Sequence, residues 1–533
     1  MATIRQATKG DAAQWRELVE ETFGKEYPAK EVYDLAWIET NLDHLNGNET
    51  WVADVDGELS CSITILQAPD ANQNPVLNLG RNLHRRSSFA DGSAKALLKK
   101  INEIAMERNQ MVVSRVPALD NSQQIVYENA GYACVGFQPF KHMVQARAGI
   151  LYYVRVSNQV LMTRLPLSES LPQISELAKV ALEKLKISNP IRVRDGATGY
   201  PLQNELQVHL ASFEDFQLWR DHCAHSNPPT EISGAFNLGL GLMRVDCTGT
   251  YQAVLGQQGE TIVAGLAYYF DSVDRCIRFI EAFAINDLSM GSLLQQAVKS
   301  VQEQFSPVYI EMDVLVTSPR LLKTAEQLGF VPVAYLPAFY LKNGTYADVV
   351  KMVKLNMAYA LDGVDFTTEA RGIAEVIDRN FQDQKVGVAI INLLRGLPIF
   401  DGLGDGELRK IARLFTQKLF RPGERIFKKG DDGEEAYIVM RGQVDILLEE
   451  AASPIASVPS GKIFGEMAFL DGAPRTAFAV ANQASILLVA KRAEMSDLVQ
   501  REPHLGMVVM KNVALDLSNK LRQANSAIAS LKR

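Results

Sequence analysis

The stretch FGEMAFLDGAPRTA, residues 464–477, sets a carboxylate, Glu466, nine residues before a guanidinium, Arg475, across mostly small and apolar residues. A guanidinium donates from a planar fork and suits the oxygens of an anion; a carboxylate accepts hydrogen bonds. In a pocket, such a pair binds a charged ligand. On a surface it is a salt bridge and contributes little. The elements around the pair decide between the two. Upstream, RPGERIFKKGDDGEEAYIVMRGQVDILL carries short apolar runs punctuated by Gly423, Gly430, Gly433 and Gly442, and AFAVANQASILLVAKR follows downstream. This texture predicts a β-roll or small barrel. Helical segments flank it, LPIFDGLGDGELRKIARLF before and the run from Met495 after.

The chain has 533 residues, more than one core holds, since cores stop growing near ~250–300 residues. About three domains of ~130–200 residues are expected. Hydrophobic residues at 47% and charged residues at 22% fit an ordinary globular protein. A net charge of −7 argues against a general nucleic-acid-binding surface. The cysteines, Cys61, Cys134, Cys223, Cys247 and Cys276, are odd in number and form no CxxC pair. They predict reduced thiols in a cytoplasmic protein, and no metal site is expected. The start, MATIRQATKGDAAQW, lacks the apolar run of a signal peptide. No window reaches ~18 uninterrupted apolar residues, so no membrane span is expected.

The first two thirds of the chain repeat themselves. TIRQATKGDAAQWRELVEETFG predicts a strand, an acidic cap region at Asp11 and a helix bearing Trp15; LQVHLASFEDFQLWRDHC has the same order, with Trp219 204 residues on. TWVADVDGELSCSITIL reads as a hairpin about Asp56-Gly57, and YQAVLGQQGETIVAGLAYYF as another about Gly259, 202 residues on. QQIVYENAGYACVGFQPF, a helix ended by Gly131 and then a strand, returns as PRLLKTAEQLGFVPVAYLPAF at Gly329, 198 residues on. Features at nearly one offset predict a duplicated α/β domain, with a period far too long for a solenoid. Between the copies, SESLPQISELAKVALEKLK puts Leu171, Ile174, Leu177, Val180, Ala181 and Leu185 on one helical face. This predicts a connection packed against one of the repeats. After the second copy, FTTEARGIAEVIDRNFQDQKVGVAIINLL reads as a helical linker and a candidate relay.

The duplicated unit resembles the GNAT acetyltransferase fold, whose order is strand, helices, hairpin, central strand, pyrophosphate loop and helix, then helix, glycine and strand. The family's loop pattern, Arg/Gln-x-x-Gly-x-Gly/Ala, is met in FADGSAKALL by Gly92 and Ala94 around Ser93, with Phe89 where Arg or Gln is usual. Small residues there let backbone N–H groups and a helix N-terminus approach a phosphate. The resemblance implies acetyl-CoA as cofactor, with Tyr127, four residues before Gly131, as the acid for the leaving thiolate and Asn121 as a further cofactor residue. For a base it offers His84, five residues before Phe89, and Glu281, five before Asn286. In the second repeat NDLSMGSLL offers only Asn286, Ser289 and Gly291, and Ala325 replaces the tyrosine. Repeat one is therefore the better candidate for chemistry. Without catalysis, Tyr127 is a helix aromatic, His84 a surface residue beside two arginines and Glu281 a satisfied buried acid.

The C-terminal region, roughly 394–520, resembles the cyclic nucleotide-binding domains of cyclic-AMP-dependent kinase regulators and bacterial catabolite activators. Their phosphate cassette, Phe-Gly-Glu-Leu-Ala then Pro-Arg-x-Ala, is met by Phe464, Gly465, Glu466, Met467 and Ala468, then Pro474, Arg475, Thr476 and Ala477. Gly423, Gly430 and Gly442 stand at the family's turn glycines. The resemblance implies that Arg475 holds the cyclic phosphate and Glu466 accepts from the ribose 2′-hydroxyl, with Gly465, Ala468 and Ala477 leaving room. Thr476 is compatible with cyclic AMP or cyclic GMP. The expected organisation is an α/β (α+β) chain. It has GNAT-like mixed-sheet domains at 1–155 and 201–350, a connection at 156–200, a helical linker at 351–393 and a β-roll sensor with flanking helices at 394–533. Two functions fit. One is a cytoplasmic N-acetyltransferase of a protein lysine or small amine, switched by the nucleotide. The other is a non-catalytic adaptor whose degenerate GNAT domains bind a partner or acyl-CoA. In the last helix Met507, Val508, Met510, Val513, Leu515 and Leu517 cover the barrel, cap the nucleotide or form a homodimer seam.

Overall fold

Runs such as SCSITIL and ILYYV, rich in β-branched and aromatic residues, suit a pleated and buried surface, and glycine turns cut them to length. In the computed structural model the described residues are 2–43, 47–66, 76–144, 146–166, 169–189, 191–193, 197–202, 206–224, 251–342, 344–361, 363–386, 388–450 and 453–531. Two compact units divide the chain, Met1–Phe381 and Gln382–Arg533.

In the first unit, repeat one runs β1 (Thr3–Gln6), α1 (Ala12–Phe23), α2 (Leu35–Leu42), β2 (Glu49–Val55), β3 (Glu58–Leu66), β4 (Val76–His84), α3 (Ser93–Glu107), β5 (Met111–Pro117), α4 (Ser122–Asn129), β6 (Ala133–Met143) and β7 (Arg147–Arg155). After α5 (Pro172–Lys184), repeat two runs β8 (Gln207–Ser212), α6 (Phe213–Ala224), β9 (Tyr251–Gln258), β10 (Thr261–Asp271), β11 (Cys276–Ala284), α7 (Asp287–Phe305), β12 (Tyr309–Leu315), α8 (Pro319–Gln327), β13 (Val331–Lys342) and β14 (Thr345–Leu355). The expected hairpins turn at Asp56-Gly57 and Gly259, and Gly131 and Gly329 end their helices, all at positive φ.

The duplication is visible in the sheet. Its fourteen strands lie in the order β1-β2-β3-β4-β5-β7-β6-β13-β14-β12-β11-β10-β9-β8. The second half is the first half reversed, so the copies meet through β6 and β13, paired antiparallel at Gly136 and Ala334. A Cβ on Gly136 would stand 2.2 Å from that of Ala334, so only glycine lets the strands approach. Both strands carry a left-handed residue at the same place, Phe140 and Ala338, each at φ +53. The expectation of two separate domains is corrected here: the copies share one sheet and one core.

The connecting helix α5 buries Ile174, Leu177, Ala178 and Ala181 and lies across β6 and β13, covering the junction of both repeats. Val180 and Leu185, assigned to its apolar face, are only partly buried. Inside the junction, Glu311 of β12 accepts from Lys141 Nζ at 3.0 Å and Gln138 Nε2 at 2.7 Å, both from β6. Lys141 and Glu311 have no solvent exposure, so each charge depends on the other. The linker expected at 351–393 is also corrected. β14 continues to Leu355, and Ala370, Ile373, Ile377 and Phe381 of α9 (Thr368–Val386) sit in the tandem core.

The second unit opens with α10 (Val388–Arg395) and α11 (Asp405–Ala412), followed by two four-stranded sheets. One pairs β15 (Phe415–Phe420), β22 (Ser485–Lys491), β17 (Glu435–Arg441) and β20 (Ile463–Phe464). The other pairs β16 (Arg425–Phe427), β21 (Phe478–Ala481), β18 (Gln443–Leu447) and β19 (Ala456–Pro459). This is the expected β-roll. Helix α12 (Glu466–Asp471) interrupts it, and α13 (Arg492–Arg501) and α14 (Pro503–Leu531) close the chain. In α14 the packed face is Leu505, Val508, Val509 and Val513, whereas Met507, Met510 and Leu515 are exposed; the predicted covering face was offset.

Among the described residues no helix is long and apolar enough to cross a membrane, and no cluster of His, Cys, Asp or Glu suits a metal. Cys61, Cys134 and Cys276 are free thiols; Cys247 and the side chain of Cys223 lie outside the described residues.

Candidate functional site

The roll brings Gly465, at the start of the 464–477 stretch, against Arg475 near its end. Gly465 takes φ +74 and starts α12, a backbone conformation costly for any residue with a Cβ. A Cβ there would also lie 2.8 Å from Arg475 Nη1. Arg475 is 4% exposed. Its Nη1 donates to the carbonyl of Gly465 at 2.9 Å and its Nη2 to that of Glu435. Its guanidinium lies 4.3 Å from the Phe427 ring centroid and 5.6 Å from that of Tyr437, a cation–π seat. Nε is buried with no acceptor among the described residues. Glu466 opens α12 and is half-buried. A buried guanidinium held by aromatic faces and carbonyls, beside a helix N-terminus, can exchange those carbonyls for an anion's oxygens.

Other members of the stretch do structural work. Phe464 is buried and stacked on Tyr437, with centroids 5.1 Å apart and planes at 15°. Ala468 is buried against Gly433, where a Cβ would meet the Ala468 Cβ at 2.4 Å. Met467, Pro474 and Thr476 are exposed and Ala477 is half-buried. Sequence reasoning missed Phe427, Tyr437 and Glu435, which surround Arg475. Only the regular spacing of glycines before the cassette hinted at that wall.

The second constellation lies in repeat one. β4 and β5 run parallel and pair only over Val76–Leu79 and Met111–Ser114. β4 continues to His84 and β5 to Pro117, leaving a fork between unpaired strand ends. Asn82 Nδ2 donates to Ser114 Oγ at 3.1 Å, and Ser114 Oγ donates to the Tyr127 hydroxyl at 2.8 Å. Tyr127 is buried, and burial pushes its phenol well above the ordinary range. Beside it a cavity with about 10 Å³ of room, one water's worth, is lined in part by Cys61, His84, Phe89, Ala94, Gln123 and Tyr127.

The fork thus gathers Tyr127, His84 and Ala94. His84 faces Cys61 across β3 and β4, and its ring lies 5.1 Å from that of Phe89. It is not a surface residue: both ring nitrogens are buried, with Gln123 beside them. Burial lowers its pKa to about 4, so the imidazole is neutral at pH 7. Gly92 has φ +80 and open space around it. Ser93 is buried, its N–H bound to Asp91 Oδ1 at 2.7 Å and its Oγ 2.8 Å from Ser60 Oγ. Asn121 begins α4, its carbonyl accepting from the Ile125 N–H at 3.0 Å, and does not line the cavity.

Repeat two has the same fork, pairing Cys276–Phe279 with Tyr309–Met312, but different contents. Glu281 is bound to Arg220 of α6 at 3.1 Å. It lies in the other copy from Tyr127 and His84, so the three expected catalytic residues do not form one site. Asn286 caps α7, its Oδ1 accepting from the Ser289 N–H at 2.9 Å. A Cβ on Gly291 would strike the Pro201 carbonyl oxygen at 2.1 Å. The neighbouring Tyr200 is 5% exposed, donates its N–H to Thr324 Oγ1 of α8 at 2.7 Å and stacks under Arg320 at 4.4 Å. The chain's own residues 200–201 therefore fill the groove between α7 and α8. Nothing in the local sequence signalled this plug.

A family model described as the cyclic nucleotide-binding domain matches residues 417–502. The chain is 33% identical over 135 residues to the cyclic AMP receptor protein of Thermus thermophilus, covering 25% of this chain and 61% of that protein. It is 32% identical over 131 residues to a cAMP-dependent protein kinase regulatory subunit of Emericella nidulans, covering 25% of this chain and 30% of that one. Among solved structures, the Thermus thermophilus catabolite activator protein is similar at 32% identity and a TM-score of 0.23, over 25% of this chain and 63% of that one. Each match spans less than two thirds of the relative's own length.

Proposed function

We propose, for a chain whose residues 417–502 are a cyclic nucleotide-binding domain, that cyclic AMP bound at Arg475 and Glu466 regulates acetyl transfer at the fork of repeat one. The names of the relatives support cyclic AMP over cyclic GMP. Arg475 has an unused buried donor, Nε, and holds the phosphate by charge-assisted hydrogen bonds. Glu466 accepts from the 2′-hydroxyl, so a deoxy-sugar leaves a polar group unpaired.

The observation that carries the transferase reading is the Asn82–Ser114–Tyr127 chain at the strand fork. The Tyr127 hydroxyl accepts from Ser114, so its own proton remains available. Burial keeps it on the oxygen until a leaving thiolate takes it. Neutral His84, buried beside Gln123 at the cavity, can receive the proton of an attacking amine. The open Gly92 lies where a pyrophosphate would approach the start of α3. Repeat two has Ala325 for the tyrosine and a filled groove, which supports a structural role for it. Tyr127→Phe in the full chain should lower acetyl-CoA-dependent thiol release ~10²-fold while costing only the ~1–3 kcal/mol of the Ser114 hydroxyl it leaves unpaired; an unchanged rate removes Tyr127 from the reaction.

A second reading is the adaptor, favoured by Asp91 and Phe89. Asp91 already holds the Ser93 N–H at 2.7 Å and sets a negative charge where a pyrophosphate would bind. Phe89 packs on His84 and contributes no donor to the loop. An intact chain that binds cyclic AMP but neither binds nor turns over acetyl-CoA establishes this reading.

A further inference from the structure

Helix α4, which carries Tyr127, is tied to the segment that enters α9. Asp365 donates its N–H to the Ala118 carbonyl at 3.0 Å, just past the end of β5. Gln124 of α4 has no solvent exposure and bonds the segment twice. Its Nε2 donates to the Asp365 carbonyl at 2.7 Å, and its Oε1 accepts from the Thr367 N–H at 3.0 Å. Thr367 stands immediately before α9. Its Oγ1 accepts from the Ala370 N–H at 3.0 Å, the bond of a helix cap, and donates to Glu128 Oε1 of α4 at 2.6 Å. The same carboxylate oxygen accepts from the Tyr153 hydroxyl of β7 at 2.7 Å. Residues 365–367 therefore form a strap across α4.

Only the copy with the candidate site is held in this way. Repeat two puts Leu322 of α8 where repeat one has Gln124, 198 residues on, the spacing of Gly131 and Gly329. A leucine offers neither donor nor acceptor. On α4 the strap and the cavity use neighbouring stripes. Gln123 and Tyr127, one turn apart, line the cavity; Gln124 and Glu128, one turn apart, take the strap. At its other end α9 runs on past Phe381, the last residue of the first unit, to Val386.

We propose that Gln124, Glu128 and Thr367 are positioning residues for the candidate site, and that the strap is the route by which cyclic AMP acts on it. A change in α9 tightens or loosens α4 and so moves Gln123 and Tyr127. This rests on reading the fork as the transferase site and Arg475 as the seat of the nucleotide. A helix is a stiff element, so a change along α9 is felt at its first turn. Hydrogen bonds weaken steeply as their geometry departs from the ideal, so a small displacement of the Thr367 cap is enough to release Glu128.

The test is hydrogen exchange of the full chain with and without saturating cyclic AMP, read at the amides of α4, beside calorimetric titration with acetyl-CoA. In the parent, cyclic AMP should change exchange across α4 at least ~5-fold, the lower end of ordinary coupling. Thr367→Val, which removes the hydroxyl at similar volume, should abolish that response at α4 while cyclic AMP still protects residues 417–502. Thr367→Ser, which keeps the hydroxyl, should retain it. The readout is the nucleotide-induced difference, which a merely structural bond would leave intact. No response at α4 in the parent overturns the route without recourse to any variant, and an undiminished response in Thr367→Val overturns it as well. Acetyl-CoA binding with no response at α4 overturns the strap and leaves the transferase reading. A strap-dependent response in a chain that does not bind acetyl-CoA supports the strap and removes the transferase reading.

Discussion

Replacing Arg475 with alanine removes two hydrogen bonds and its contacts with two aromatic rings at once. The carbonyls of Gly465 and Glu435 lose their cationic donor, and the Phe427 ring loses a guanidinium 4.3 Å from its centroid. Each unmatched carbonyl costs ~1–3 kcal/mol if it stays dry, and the cation–π contact adds ~1–2 kcal/mol at a desolvated site. Water enters the truncated site, so a stability loss of ~2–4 kcal/mol in the C-terminal unit is expected. The effect on the ligand is separate. A buried phosphate without its cation loses ~2–5 kcal/mol, which is ~30- to 5,000-fold in Kd. Arg475→Lys keeps the charge but loses the planar fork and both carbonyl contacts, so its affinity should fall between the two. Calorimetric titration with cyclic AMP reads the affinities, and urea unfolding of the same samples confirms that the variants are folded. A folded Arg475→Ala protein that binds cyclic AMP within about threefold of the parent would refute the assignment, because no other described cation occupies Arg475's seat.

His84 makes stability depend on pH. Its folded pKa, about 4, lies below the ordinary imidazole value of 6.5, so the unfolded chain takes up the proton first. Stability is complete above about pH 6.5 and falls as pH drops toward 4, with a slope approaching ~1.4 kcal/mol per pH unit. His84→Gln should flatten that part of the profile, and an unchanged slope in urea unfolding would place the effect elsewhere. Gly92→Val should weaken acetyl-CoA binding at least ~10-fold, since a branched side chain at φ +80 is strained and blocks the loop. Gly291→Val strikes the Pro201 carbonyl and should lower the melting temperature without changing acetyl-CoA affinity. The opposite pattern would move the cofactor site to repeat two.

The duplication was legible because paired features recur at nearly one spacing: the Trp15 and Trp219 helices, the two hairpins, and Gly131 with Gly329. What those spacings cannot express is which edges of two similar sheets meet. That depends on Gly136 admitting Ala334 and on Lys141 meeting Glu311, the latter contact between residues 170 positions apart. The cassette was readable because its charged pair and glycines lie within fourteen residues. Its aromatic wall, Phe427 and Tyr437, was not, since a buried aromatic in a strand looks like ordinary core. Tyr127 and His84 were singled out through a resemblance, and that both line one cavity is a tertiary fact. The Glu281–Arg220 pair was equally out of reach, since strand position alone does not reveal Arg220. Tyr200 was invisible as a plug, since an irregular Gly-Tyr-Pro segment carries no periodic signal.

The most direct test of the account is the equilibrium titration of the full chain with acetyl-CoA, in the presence and absence of saturating cyclic AMP. The account predicts one acetyl-CoA site per chain, lost in Gly92→Val, whose affinity changes ~5- to 150-fold with cyclic AMP, and an equal reciprocal effect of acetyl-CoA on the nucleotide. Two equivalent sites, or none, would contradict the assignment of repeat one, and one site indifferent to the nucleotide would contradict the coupling.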